Sequence, residues 1–360
     1  MKIVICGLSI TSSWGNGHAT TYRALVRALN ARGHKVVFFE RDLEWYASNR
    51  DMPEPPFCRV HIYERWDEVR PLLRRELADA DAAIVGSYFP DGVQAINEVL
   101  ESAVPVKAFY DIDTPITVAK LQAGDAEYLS SEQVPGFDLY FSFTGGPLLR
   151  ELQSRFAARR AVPLYCSFDT ARYRACAPDA RYGCDLSYMG TYAADRQPGL
   201  DRLLCAPALR LAEKKFIVAG PQYPASITWP KNVKHIIHLE PKFHPPFYCS
   251  SRFTLNLTRK LMVDYGYSPS VRLFEAAGCG AAIISDYWKG LETFFVPGTE
   301  ILLAETSEEV VHYLNGLGEE EARAIGLRAQ ERVIAEHSAE KRAEQFEALV
   351  GVKAVAGQYA

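Results

Sequence analysis

The stretch GYSPSVRLFEAAGCGAAIISD, residues 266–286, concentrates residues able to hold an anion. Ser268 suits a helix N-cap and Pro269 the first helical position, with Ser270, Val271 and Arg272 completing the first turn. The unpaired amides of such a turn bind a phosphate or diphosphate. Glu275, one to two turns on, carries the two acceptor oxygens that a ribose diol needs. A capped helix feeding the core strand AAIISD accounts for the same residues without a ligand.

A second set lies in the first half of the chain. YDIDTPIT, residues 110–117, ends an apolar run with Asp111 and Asp113. Carboxylates at a strand end act as general bases or bind sugar hydroxyls, and they also serve as turn and cap residues. His18 follows the turn Gly15-Asn16-Gly17 at the start of a helical pattern. A helix N-terminus disfavours imidazolium, so this histidine stays neutral and able to accept a proton or simply caps the helix. Trp14 and Asn16 beside it are candidates for contacting an acceptor, Trp14 by stacking on a ring. Gly7, Gly15 and Gly17 do not form G-x-G-x-x-G, and about ten residues part strand from helix, too many for a tight pyrophosphate turn. Glu40 at the end of the second apolar run is the one feature in favour of a nicotinamide dinucleotide.

The elements that must position these residues alternate. KIVICGL is an apolar run ending in glycine, TTYRALVRALNARGH has helical spacing closed by Gly33, and KVVFFERD is a second buried strand. Strand, helix and strand in that order make a βαβ unit and hence a parallel sheet. The alternation runs on through DAAIVGSY, VPVKAFYDID and FDLYFSFT, then restarts at DLSYMGTYAADR after the connector 168–184. The predicted fold is α/β: two tandem Rossmann-like domains with a cleft between them, over 1–167 and 168–340, and a helix end and tail over 341–360. Residues 319–350 read as a charged helix on the surface and 351–360 as frayed. Ligands in doubly wound sheets bind beyond the carboxyl ends of the strands.

Composition excludes several classes. With 360 residues and a net charge of −4, the chain shows no basic excess for nucleic acid. No apolar stretch approaches the ~20 residues that span a bilayer, and the start lacks the long apolar run of a signal peptide. The eight cysteines, at 6, 58, 166, 176, 184, 205, 249 and 279, form no C-x-x-C pair or zinc spacing. They suit buried thiols in a reducing compartment, so the expected location is cytoplasmic and no metal or other cofactor is expected.

The segment SPSVRLFEAAGCG, with DYWKGLETFFVPGTEILLA after it and LNLTR (255–259) and MGTYAADR (189–196) before it, resembles the donor site of GT-B glycosyltransferases of the CgeB-like branch. The resemblance covers most of 186–340. It implies a first domain for the acceptor, a second for a nucleotide-sugar donor, UDP-linked above all, and closure of the two around the substrates. It places Gly190 and Thr191 in a glycine turn near the diphosphate. It makes Arg196 and Arg259 phosphate cations, with Asn256 orienting the latter or touching the sugar. Ser270, Val271 and Arg272 then form the helix start, Glu275 contacts the ribose, Gly17 belongs to the donor side, and HLEP (238–241) lies near the base. The retaining families carry Glu-x7-Glu, whereas this sequence has Tyr267 at the first position, so sugar identity and stereochemical outcome stay open. His18, Asp111 and Asp113 are the catalytic candidates. A sugar-nucleotide 2-epimerase on the same fold and a non-catalytic nucleotide-sugar binder are the alternatives. The acceptor, whether small molecule, glycan or protein, is unspecified.

Overall fold

Apolar runs closed by glycine or a polar residue become strands buried on both faces. The computed structural model describes residues 1–15 and 17–356, with side chains through 351. Strands β1 (Lys2–Cys6), β2 (Lys35–Arg41), β3 (Arg59–Tyr63), β4 (Ala82–Gly86), β5 (Val106–Asp111), β6 (Leu139–Ser142) and β7 (Ala161–Pro163) pair in parallel in the order β3-β2-β1-β4-β5-β6-β7. Ile3 pairs with Val36 on one side and Ala82 on the other, so β1 lies inside the sheet where the order reverses. The helix Gly17–Ala31 returns over it and sets Tyr22 against the strand ends. A side chain at Gly86 would collide with the Tyr22 hydroxyl, so β4 ends in glycine. Strand β3 is half-exposed at the sheet edge, and RVHIY carries no apolar run that announces it.

The second sheet repeats the plan. Strands β8 (Cys184–Met189), β9 (Phe216–Ala219), β10 (Val233–Ile236), β11 (Ser251–Asn256), β12 (Ala282–Ser285) and β13 (Leu302–Leu303) are parallel in the order β10-β9-β8-β11-β12-β13. Their inward residues, among them Leu186, Tyr188, Phe216, Val218, Phe253, Leu255 and Ile284, form one core with Leu200, Leu203 and Leu204 of the following helical segment. Burying each large apolar side chain contributes roughly 1.5–3 kcal/mol, so the sheet centre carries most of the stability.

The chain divides into two compact units: Met1–Ser167 with the segment from Ala339, and Phe168–Ser338. The charged end of the chain is two helices, Glu319–Glu336 and Ala339–Ala356, where the sequence pattern predicts one followed by a frayed segment. The break falls at His337, which stacks on Phe274 at 4.7 Å, and Ser338, which bridges to Phe168. The first of these helices buries Ala322, Ile325, Ala329 and Val333 in the second unit. The last helix belongs to the first unit. It packs on Gly17–Ala31, places the Phe346 ring 5.7 Å from Phe141, and anchors Glu347 to Arg32 and His34. We expect Phe346→Ala to destabilise the first unit by about 3–5 kcal/mol, read as a lower denaturant midpoint, because the residue is wholly buried. An unchanged midpoint would mean the last helix is dispensable to this core.

Candidate active site

The second unit gathers its candidate residues where β8 and β11 diverge, the switch point of the sheet. Gly190 follows β8 and bonds to Ala219 across the sheet. A side chain there would strike the Arg272 guanidinium at 2.7 Å, so glycine is what allows the arginine to lie over the turn. Arg272 donates through Nε to the Met189 carbonyl and through Nη1 to Asn256 (3.1 Å), and stacks over the Tyr188 ring at 5.0 Å. Asn256 is buried. Its oxygen accepts from Ser270 (2.8 Å) and Arg272, while its amide donates to Ser285 (2.9 Å). It therefore positions Ser270 and Arg272, where the sequence paired it with Arg259 or the sugar.

The helix begins at Val271 with Ser270 as N-cap, two residues later than Ser268 and Pro269 predict. Ser270 is still extended because its hydroxyl is held by Asn256, and the helix starts only beyond that tie. Arg196 donates to the Thr191 carbonyl (2.6 Å), and its buried Nε has no hydrogen-bond partner among the described residues. Arg259 is more exposed, 3.6 Å from Asp195. Glu275 is buried, and its carboxylate bonds the hydroxyl of Tyr173 in the connector. Tyr267 has a left-handed backbone (φ 51°) and donates its amide to the Lys289 carbonyl. Beyond the predicted set, Tyr192, Tyr223, Trp229 and His235 form a chain of rings 5.2–5.5 Å apart, and the Tyr223 hydroxyl donates to Gly190. Scattered over more than forty residues, these aromatics have no common spacing by which to be found. HLEP follows β10, where the Leu239 carbonyl contacts His244.

In the first unit, Glu40 settles the loop behind β1. It accepts from the Ser9 hydroxyl (3.0 Å), the Ile10 amide (2.6 Å) and the Thr11 amide and hydroxyl (3.0 and 2.6 Å). The dinucleotide role of Glu40 is thereby replaced by a structural one: its oxygens are filled by the loop. Arg23 extends the clamp, forking onto Asp51 (2.8 Å twice) and donating to the Ile10 carbonyl. Burial alone would push Asp51 up, but Arg23 and the bonds from Ser13 hold it down at about 2. Trp14 is half-buried beyond this clamp, and Asn16 lies outside the described residues. Gly17 and His18 open the helix.

The structure brings His18 and Asp113 together, with Nε2 3.9 Å from Oδ2. Tyr88 completes the group. Its hydroxyl donates to Asp113 (3.2 Å) and its ring lies 5.3 Å from His18. Tyr88 has φ 62°, a strained backbone for a residue with a side chain, and nothing in GSYFPDG signals it. Asp111 does not join them. It is wholly buried, bonded by Thr117 (2.7 Å) and Tyr140, so it has no access to an acceptor. Thr117 passes the tie to Tyr128, whose ring meets Tyr88 at 5.0 Å, making Asp111 the buried anchor of the group. Among the described residues no cluster of His, Cys, Asp and Glu is arranged to hold a metal ion.

A sequence profile described as "Glycosyl transferase-like" matches residues 196–348, less than half the chain. No curated protein matches the sequence. Among solved structures the chain is similar to a sucrose-phosphate synthase from Thermosynechococcus elongatus (TM-score 0.71, 14% identity, 99% of this chain and 100% of that one). It is also similar to Anabaena HepE in complex with UDP-glucose (TM-score 0.67, 12% identity, 98% and 100%). A third is an alpha-glucosyltransferase in complex with UDP and DNA (TM-score 0.71, 13% identity, 98% and 99%). The fold is GT-B. At these identities the likeness is one of architecture, and the GT-B strand pattern accounts for the two reversed sheets together.

Burial pushes Asp111 up to about 6, from 3.8, against the lowering effect of its two hydroxyl donors. A carboxyl that binds its proton more tightly when folded adds stability that is complete below the unfolded pKa and lost as pH rises through the folded one. Asp111→Asn should therefore remove a fall in unfolding free energy on the order of 3 kcal/mol between about pH 4 and pH 6. Denaturant titrations of both proteins across that range measure it, and parallel pH profiles would refute it.

Proposed function

We propose that this chain is a hexosyltransferase of the CgeB-like branch that moves a sugar from a UDP-sugar to an acceptor hydroxyl. The observation that carries the reading is the set of donors at the β8/β11 switch point, where Thr191, Arg196 and the helix starting at Val271 converge beside Gly190 inside a transferase-like second unit. A diphosphate suits that place: first-turn amides and a spare guanidinium N–H supply the donors it needs. Arg196, with Arg259 beside Asp195, disperses the charge of the departing UDP, and no metal is required for that work. Arg272 donates to the Met189 carbonyl and to Asn256 and so braces the helix start, and Glu275 shares its carboxylate between Tyr173 and the ribose. The Tyr192, Tyr223 and Trp229 rings, packed edge to face, offer apolar surface beside Gly190 for the base.

The first unit receives the acceptor. His18 takes the proton of the attacking hydroxyl, and Asp113, placed by Tyr88, steadies the imidazolium that results. Trp14 is offered as an acceptor contact on this unit, and the acceptor role expected of Asn16 falls outside the described residues. One structural neighbour is in complex with DNA, but the net charge of −4 here favours a small molecule, glycan or protein as acceptor. No described helix is long and apolar enough to cross a membrane, and a cytoplasmic site fits the free cysteines. Turnover that requires an acceptor distinguishes transfer from epimerisation, which the comparisons do not favour.

Arg196→Ala is expected to weaken UDP binding in calorimetry by about ten- to a hundredfold, the loss of a charged hydrogen bond. His18→Ala is expected to leave UDP affinity within a factor of about two while slowing transfer by about 10²-fold or more. Unchanged UDP affinity in the arginine variant would misplace the donor site. Unchanged transfer in the histidine variant would remove the base.

A further inference from the structure

Three cysteines distant in sequence meet in the second unit. Cys249 ends the helix His244–Cys249, Cys279 caps the helix Val271–Gly278, and Cys176 sits on the connector. The Cys176 amide points at the Cys249 sulfur (3.4 Å), and the Cys249 thiol donates to the carbonyls of Cys279 (3.5 Å) and Arg174 (4.0 Å). Exposure grades across the trio: Cys176 is exposed, Cys249 half-buried and Cys279 buried. Nothing in the proposed transfer reaction uses these sulfurs.

We propose that Cys176 and Cys249 form a reversible oxidation site, closed to a disulfide by hydroperoxides. The Cys249 thiolate attacks the peroxide, the O–O bond breaks, and the released alkoxide or hydroxide takes a proton to leave as alcohol or water. Cys249 is then a sulfenic acid. The Cys176 thiolate attacks its sulfur, the S–O bond breaks and hydroxide departs as water with the proton that Cys176 gave up. Two thiols and one hydroperoxide become one disulfide, one alcohol and one water.

Geometry selects the pair. Cys176 rides on an irregular, exposed segment that can move its sulfur into line, while Cys279 is locked between a helix end and the core. An amide N–H aimed at Cys249 favours its thiolate, and the adjoining Cys279 thiol holds Cys249 below the ordinary thiol range. Cys249 is thus the attacking sulfur and Cys176 the resolving one. The link would also tether the segment carrying Tyr173, the partner of Glu275, to the second sheet. The inference does not depend on the sugar chemistry, and its test needs no substrate.

The test treats the folded full chain with hydrogen peroxide, quenches with an alkylating agent and maps peptides by mass. The expected result is a 176–249 linked peptide lacking two hydrogens, lost on reduction with dithiothreitol and absent in Cys176→Ser. Before oxidation Cys249 should alkylate at least about tenfold faster than Cys205. The linked protein should melt several degrees higher than the reduced one, a shift missing in Cys176→Ser. A 249–279 link, sulfinic acid at Cys249 with no link, or three thiols still alkylatable after peroxide would each overturn the proposal. Cys279→Ser is the second variant: the 176–249 peptide should persist in it, and its disappearance would overturn the assignment of this pair.

Discussion

In each sheet the strand order turns back beside the first strand, and the residues able to meet a ligand sit at that reversal. Right-handed crossovers send the connecting helices to opposite faces on either side of it, so the strand ends there are left uncovered. In one unit the reversal lies between β1 and β4, in the other between β8 and β11. His18 follows β1 and Tyr88 follows β4. Gly190 follows β8 and Asn256 closes β11. The rest of each unit serves to hold those ends still.

The holding is done by charges whose partners are all protein. Glu40 collects four donors from the loop behind β1, and Arg272 crosses from Met189 to Asn256 at the ends of β8 and β11. Each charge-assisted hydrogen bond contributes about 1.5–3 kcal/mol, and losing one partner leaves the others buried and unpaired. Such groups look like catalytic or ligand-binding residues because both need carboxylates and guanidinium groups near strand ends. What distinguishes them is spare capacity. Glu40 has both oxygens filled by the loop and Asp111 is wholly buried against Tyr140 and Thr117, whereas the Arg196 Nε is buried without a partner among the described residues.

This explains what could be read from sequence and what could not. Strands buried on both faces are continuous apolar runs, so KIVIC, AAIVG, FIVA and AIIS were legible, and with them the two reversed sheets. RVHIY, at an edge and half-exposed, was not. Asp111 and Asp113 are two residues apart at one strand end, and spacing alone does not say which turns inward. The answer lies with Tyr140 and Thr117, one of them on a neighbouring strand. Arg272 was legible as part of a helix start, but its acceptor at Met189 is 83 residues away. Tyr88 owes its place to a backbone conformation that tyrosine rarely adopts.

The central claim is that the β8/β11 switch point of the second unit receives the diphosphate of UDP. Amide hydrogen exchange with and without UDP tests it most directly. Slowed exchange is expected at 190–196, 223–229, 256–259 and 270–275. Protection at the opposite ends of the strands, or none anywhere at a UDP concentration that raises the melting temperature, would contradict it.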